Sequence, residues 1–381
     1  MNLQKINEIK RVTYFRKRDL KNGLKLDSNE MVSDWNKSIY RKIHNSIKNY
    51  EITSYPKDNY LDLKKKIAKN LGIRINNFLI TSGADGAIKE FLTINSYQKK
   101  QRKVLILGES YGMYRIYLKI FNYDVKEINY LKDVKKNTFC KLDKFEFYKN
   151  IKKNHIIALV NPNHLSNYDF TLKEIITLLK KFPNKKFLID EAYFGYGCFS
   201  LVSHVKNFRN LFIARSFSKQ FGLASIRLGC LIAHKDTILP YLNTSQPYIT
   251  NIYSSKIAEF FLDNYQLIKK KLKREIEGRE YLIKLINKNL KNLNIHSSNS
   301  MSIFFKFDNK KKRDLIFEKL YFRKIYTRKW DIKFKKDFFY CLRITCGPKK
   351  IMHNYFQIFQ NILKKWTITL IKVIIKKKVF L

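Results

Sequence analysis

From residue 78 to residue 233 the chain keeps returning to one pattern: a short apolar run rich in β-branched residues, a turn, then a lysine-rich amphipathic stretch. Period-free apolar runs of four to six residues bounded by turn residues read as buried strands, and the amphipathic stretches read as helices. The strands are predicted at Phe78 to Ser82, Val104 to Gly108, Val125 to Asn129, Ile156 to Asn161, Phe187 to Asp190, Leu211 to Ser216 and Leu228 to Ala233. Helices are predicted between most of them, at Asp85 to Asn95, Tyr114 to Phe121 and Thr171 to Lys181. Strand–helix alternation implies an α/β fold whose mostly parallel seven-stranded sheet is covered on both faces.

Beyond Ser254 the pattern changes to a long charged helix, Lys256 to Leu290, with no internal proline. Apolar runs at Met301 to Phe307 and Phe339 to Thr345, with helices at Lys312 to Tyr321 and Lys350 to Lys364, then predict a smaller α/β unit. The expected division is an N-terminal arm with small-domain elements (1–50), a large domain (51–253), the connecting helix with a small C-terminal domain (254–365) and a basic tail (366–381), read as a frayed end or terminal strand. The tail's mixture of Ile, Val, Leu and lysine also suits contact with an anionic membrane surface.

Charge changes this picture little. The 77 Lys and Arg against 31 Asp and Glu give a formal charge of +46, which raises a polyanion-binding reading. The lysines are spread along the chain, however, in runs such as Lys64-Lys65-Lys66 and Lys269-Lys270-Lys271 that alternate with apolar residues at helical spacing, as solvated helix faces do. Five scattered cysteines with no Cys-x-x-Cys pair fit a reducing cytoplasm and no disulfide framework. Met1 to Arg18 has no apolar core of a signal peptide, and no apolar run reaches the ~18 residues of a membrane span. The seven histidines show no metal-ligand spacing.

Ligands of open α/β sheets collect beyond the carboxyl ends of the strands. Four such ends carry distinctive polar residues: Ser82-Gly83-Ala84-Asp85, Asn161-Pro162-Asn163-His164, Asp190-Glu191-Ala192-Tyr193, and Ser216-Phe217-Ser218-Lys219 with Arg227 eight residues on. Each alone reads as a cap, a turn or a surface lysine. Together, in this order, they resemble the fold-type I aminotransferases that depend on pyridoxal 5'-phosphate (PLP), in the branch that contains histidinol-phosphate aminotransferase. The resemblance spans Leu26 to Gly347 and is most specific from Ser216 through Lys219 and Arg227 to Gly229.

The resemblance implies an enzyme that moves an amino group between a small amine or amino acid and a 2-oxo acid. It implies that Lys219 holds PLP as a Schiff base and then acts as general base and acid, that Asp190 pairs with the pyridine nitrogen, and that Tyr193 donates to the ring oxygen. Gly83, Ala84 and Asp85 at a helix start, with Ser216, Ser218 and Arg227, would hold the cofactor phosphate. Tyr111 matches the aromatic stacked on the ring, Arg343 the arginine that clamps the substrate anion, and Asn29-Glu30 an N-terminal segment near the substrate. Tyr55 matches a tyrosine that reaches the neighbouring subunit's phosphate, which implies a homodimer with shared sites.

One segment departs from the family pattern. Where relatives read Asn-Pro-Asn-Asn-Pro-Thr-Gly, this chain reads Asn161-Pro162-Asn163-His164-Leu165-Ser166-Asn167. Either His164 takes over the contact to the ring oxygen, with a proton that titrates near pH ~6.5, or Asn163 does. The departure leaves the substrate open. It also leaves open a decarboxylase of the threonine-phosphate decarboxylase type, or a degenerate fold of this kind that binds polyanions.

Overall fold

The computed structural model describes residues 22–50, 53–98, 102–135, 138–165, 169–297, 299–334 and 338–378. Met1 to Arg18, Ser166-Asn167 and the last three residues of the tail lie outside them. All seven runs named above form one sheet. Its strands are β1 (Phe78–Thr81), β2 (Lys103–Leu107), β3 (Asp124–Ile128), β4 (Ile156–Val160), β5 (Lys186–Asp190), β6 (Leu211–Ser216) and β7 (Gly229–Ala233). The order across the sheet is β1-β7-β6-β5-β4-β2-β3. Only β7 runs against its neighbours, pairing antiparallel with both β1 and β6. The remaining ladders are parallel, so six strands point their carboxyl ends to one edge.

The strand sequences explain their burial. β4, β5, β6 and β7 are apolar at successive positions because both sheet faces are covered, leaving no solvent face to demand alternation. Two apolar layers result, one on each face: Leu105, Leu107, Ile157, Leu159, Ile189 and Ile213 on one side, Val104, Ile106, Ala158, Leu188, Phe212 and Ala214 on the other. The covering helices begin at readable signals. The helix Leu172–Lys181 starts with a reciprocal capping box, in which Thr171 Oγ1 accepts from the Glu174 N–H (3.2 Å) while Glu174 Oε2 accepts from the Thr171 N–H (2.7 Å). Such a cap contributes about 1 kcal/mol.

The second unit is a four-stranded sheet in the order β8 (Ile295–Ser297), β9 (Ser302–Phe307), β11 (Phe338–Thr345), β10 (Arg328–Lys333), all antiparallel. Two expectations change here, for the connecting helix and for the tail. The single connecting helix is two, Ile252–Asp263 and Tyr265–Asn289, because the first ends at Asn264. The arm contains a regular helix, Lys37–Ile47, capped by Asn36. As far as it is described the tail is helical and not a strand: the helix that starts at Lys349 runs on to Lys378. The turn that leads into this helix meets the connecting helix Tyr265–Asn289 through bare backbone, since a Cβ built on Gly278 would fall 1.8 Å from the Gly347 carbonyl oxygen.

Among the described residues no helix is long and apolar enough to cross a membrane, and no group of three or more His, Cys, Asp or Glu is placed to hold a metal ion.

Candidate active site

The carboxyl ends of β1, β2, β4, β5 and β6 converge with the arm and the small sheet on one cavity of about 520 Å³. Its wall contains Asn29, Ala84, Asp85, Tyr111, His164, Asp190, Tyr193, Ser216, Ser218, Lys219, Arg227 and Arg343. Segments as far apart in the chain as Asn29 and Arg343 thus meet where the sheet rule places a ligand.

One end of the cavity is a cup for an anion. Gly83 (φ +71°) opens the helix Gly83–Ser96, and a Cβ there would come within 3.0 Å of Arg227 Nη2, so glycine is what lets the guanidinium lie against the helix start. Gly229 seals the same place from behind: a Cβ on it would strike the Gly83 backbone at 2.4 Å. Arg227, itself left-handed at φ +52°, reaches Ser218 Oγ (3.4 Å) and the Ala224 carbonyl (3.2 Å). Helix N–H groups, two serine hydroxyls and a guanidinium are a donor set for a phosphate dianion.

Deeper in, Asp190 closes β5. Its Oδ1 accepts from the Ala192 N–H (3.0 Å), with the Tyr114 hydroxyl close by. Burial raises its carboxyl to about pH 6 against the help of those donors, while Glu191 and Asp85 push it further up. A desolvated carboxylate at the cavity wall fits a ring N–H⁺. Lys219 follows β6, and its Nζ donates to the Asn29 carbonyl. Desolvation lowers its ammonium to about pH 8, Glu30 opposes the shift, and Arg343 and Arg227 add to it.

Asn29 joins three parts of the chain. Its Nδ2 donates to Tyr193 Oη (2.6 Å), its Oδ1 accepts from Ser302 Oγ (2.7 Å), and its N–H donates to Thr345 Oγ1 (3.0 Å). The arm is thereby tied to the phenol on the large sheet and to two strands of the small one.

At the departing loop the two side chains are placed differently. Asn163 is buried and turned away, its Nδ2 donating to Tyr130 Oη (2.7 Å) and its Oδ1 accepting from the Leu165 N–H (2.9 Å). His164 lines the cavity instead, packed 5.2 Å edge-on to Trp330 and 6.0 Å from Phe304. Desolvation, with Arg343, His296 and Arg328 behind it, drives its pKa down to about 3. The expectation of a proton titrating near pH ~6.5 is therefore corrected: this imidazole stays neutral. Replacing His164 with Asn should shift the absorbance maximum of bound PLP, while wild type shows no histidine-like step between about pH 5 and about pH 8. An unchanged spectrum in the variant places His164 outside the cofactor's contacts.

Tyr55 is not in this cavity. It is 74% exposed and stacks on Tyr248, ring centroids 4.5 Å apart, in a separate surface groove.

Sequence reasoning passed over Glu109, Ser110, Arg115, Arg328 and Trp330, which also line the cavity. Glu109 and Ser110 follow β2 and obey the same strand-end rule as the residues that were picked out. Arg328 and Trp330 sit on β10, whose Arg-Lys-Trp-Asp-Ile-Lys text is too charged to read as a strand. Arg328 stands directly opposite Arg343 across the β10–β11 ladder, and the two guanidinium carbons lie 5.5 and 5.2 Å from the Trp330 ring centre.

With this geometry in hand, similarity to known proteins gives the class. The sequence matches the family "Aminotransferase class I and II" over residues 21–356. A histidinol-phosphate aminotransferase of Buchnera aphidicola subsp. Cinara cedri is 31% identical over 331 residues, 84% of this chain and 87% of that protein. The histidinol-phosphate aminotransferase structure from Clostridium acetobutylicum superposes with a TM-score of 0.75 at 23% identity, covering 89% of this chain and 99% of that one. The L-threonine-O-3-phosphate decarboxylase structure from Porphyromonas gingivalis does so with a TM-score of 0.73 at 19% identity over 89% and 99%. The chain belongs to the class I and II aminotransferases. Its fold is PLP fold type I, and the enzyme is a PLP-dependent aminotransferase of the histidinol-phosphate aminotransferase-like kind.

Proposed function

We propose that this enzyme moves an amino group from a small amine bearing an anionic group, a histidinol-phosphate-like donor, to a 2-oxo acid. The observation that carries this reading is the facing pair Arg328 and Arg343 on Trp330, at the wall beyond Lys219. Like charges directly opposite on a sheet repel. An anion between them relieves the repulsion, and two forked guanidiniums suit a phosphate or carboxylate. The cup at Gly83 and Arg227 takes the cofactor's phosphate, so this second cationic site is left for the substrate. The names of the relatives favour a phosphorylated amine.

When bound, PLP supplies an aldehyde that captures an amine and a ring that accepts the electron pair left by the departing Cα proton. Lys219 is assigned the capturing amine, and thereafter the group that carries this proton between neighbouring atoms. Asp190 would hold a positive charge on the ring nitrogen. Tyr193 and His164 would donate to the ring oxygen, with Asn29 fixing the phenol. Tyr111 would cover the ring, and Ala84, Asp85, Ser216, Ser218 and Arg227 would anchor the phosphate.

Purified protein incubated with histidinol phosphate and 2-oxoglutarate should form glutamate in proportion to the oxo product. Release of carbon dioxide from an amino-acid phosphate without consumption of 2-oxoglutarate supports the second reading, a decarboxylase, which the similarity to the threonine-phosphate enzyme favours. Neither product refutes both.

The exposed Tyr55 supports a homodimer in which this hydroxyl reaches the other copy's phosphate cup. Sedimentation should then give twice the chain mass, and Tyr55→Phe should weaken PLP retention about tenfold, the worth of one hydrogen bond to a charged group. A monomer at micromolar concentration excludes this arrangement.

A further inference from the structure

Glu109 lies in the same cavity as Arg328, Trp330 and Arg343 and has no part in the chemistry assigned so far. Its backbone is left-handed, φ +54°, a conformation that a residue with a side chain seldom adopts. The preceding residue dictates this: the Gly108 N–H donates to the Ile128 carbonyl (2.7 Å), and a Cβ on Gly108 would meet that oxygen at 3.1 Å, so the chain leaves β2 and turns at once. A strained non-glycine residue at a cavity wall calls for a reason beyond folding, because glycine would meet the backbone requirement more easily.

The surroundings of the carboxylate suggest that reason. Its nearest cation on the large domain, Arg115, is already engaged in a two-pronged pair with Glu127 (2.9 and 2.5 Å). From the small domain, the Trp330 side chain offers its N–H to Glu109, and the same ring is flanked by Arg328 and Arg343. The other acids of the cavity are differently placed. Asp85 and Asp190 belong to the cofactor's phosphate and ring ends, and Glu30 is exposed beside Lys219. Glu109 is thus a half-buried acceptor next to the substrate's anion site, on a wall that is otherwise cationic.

We propose that Glu109 is a specificity-determining residue: its carboxylate accepts a hydrogen bond from an N–H group, neutral or cationic, at the end of the amine substrate remote from the reacting carbon. This rests on the substrate reading above and refines it to an amine that carries both an anion and an N–H donor, as an imidazole ring provides. A site built around a buried acceptor disfavours an analogue that cannot satisfy it. The negative charge also repels a second anion, so amines with two acidic groups are turned away by the same side chain.

The test compares histidinol phosphate with alaninol phosphate, which has the same amine and phosphate but no ring, in wild-type holoenzyme, Glu109→Gly and Glu109→Gln. Wild type should favour histidinol phosphate in kcat/KM. In Glu109→Gly that preference should shrink at least about tenfold, mainly through KM, and Glu109→Gln, which keeps an acceptor oxygen, should retain part of it. Glu109→Gly should melt no lower than wild type, since it relieves the left-handed strain, which separates selection from structural damage. Calorimetry with imidazolylpropyl phosphate, which has no amine to react, should show the same loss of affinity relative to propyl phosphate. Equal losses with both donors, or an unchanged preference in Glu109→Gly, overturn the role of Glu109 and leave the aminotransferase reading standing. A wild type that transaminates neither donor overturns that reading and this one together.

Discussion

Lys219→Ala is expected to lose roughly 10³-fold or more of kcat, because it removes both the amine that captures the cofactor and the group that carries the proton. The environment already prepares this lysine. With its ammonium lowered to about pH 8, about one side chain in ten is uncharged at pH 7, against about one in a few thousand for an ordinary lysine. Uptake of PLP by the apoprotein should therefore quicken about tenfold per pH unit on the acid side and level off above about pH 8. Added methylamine should restore part of the variant's proton transfer, which it cannot do if the lysine merely supports packing. Glutamate formation measures the first effect, and rapid-mixing absorbance the second. A variant with more than about a tenth of wild-type turnover removes Lys219 from the chemistry.

Asp190→Asn should lower kcat by roughly 10²- to 10³-fold, the usual effect of removing one preorganised electrostatic partner. It should also raise the stability of the apoprotein at neutral pH. The sign follows from the carboxyl's pKa, which is raised by burial from 3.8 to about 6. Between these values the folded chain holds the proton more tightly than the unfolded one, so apoprotein stability is penalised progressively as pH rises through that window and remains penalised above it. The amide has no charge to desolvate. Thermal melts of the two apoproteins should hence diverge from about pH 4 to about pH 6, and added PLP should stabilise wild type more than the variant. Parallel melting curves across this range would mean that the carboxylate is solvated in the empty site.

The seven strands were legible because most are continuous apolar runs ended by a turn, the edge strand Asp-Val-Lys-Glu-Ile being the exception, and the structure moves their ends by no more than about a residue. The small sheet was read only in part. β9 and β11 carry Ile-Phe-Phe and Leu-Arg-Ile-Thr, whereas β10 alternates charge with single apolar residues and hides in a basic background. The break at Asn264 has neither proline nor glycine to announce it; its residue simply leaves the helical region at φ −106°, ψ 39°. At the site, residues directly after a strand could be singled out from order and spacing. The charge state of His164 could not, because the burial that chiefly keeps it neutral is tertiary, and Arg343, His296 and Arg328, which add to it, come from strands more than 130 residues away. Likewise Arg328 acquires meaning only from the register that sets it across from Arg343.

The contact between Gly278 and Gly347 has a mechanical corollary. Where the connecting helix touches the turn before the last helix main chain to main chain, no side group lies between them to absorb a shift at that point. The small sheet, whose strand Phe338–Thr345 runs into that turn, is therefore held closely to the connecting helix. A swing of that sheet would carry the connecting helix with it, and the chain has an interruption in its helical rise at Asn264 to take up the bend.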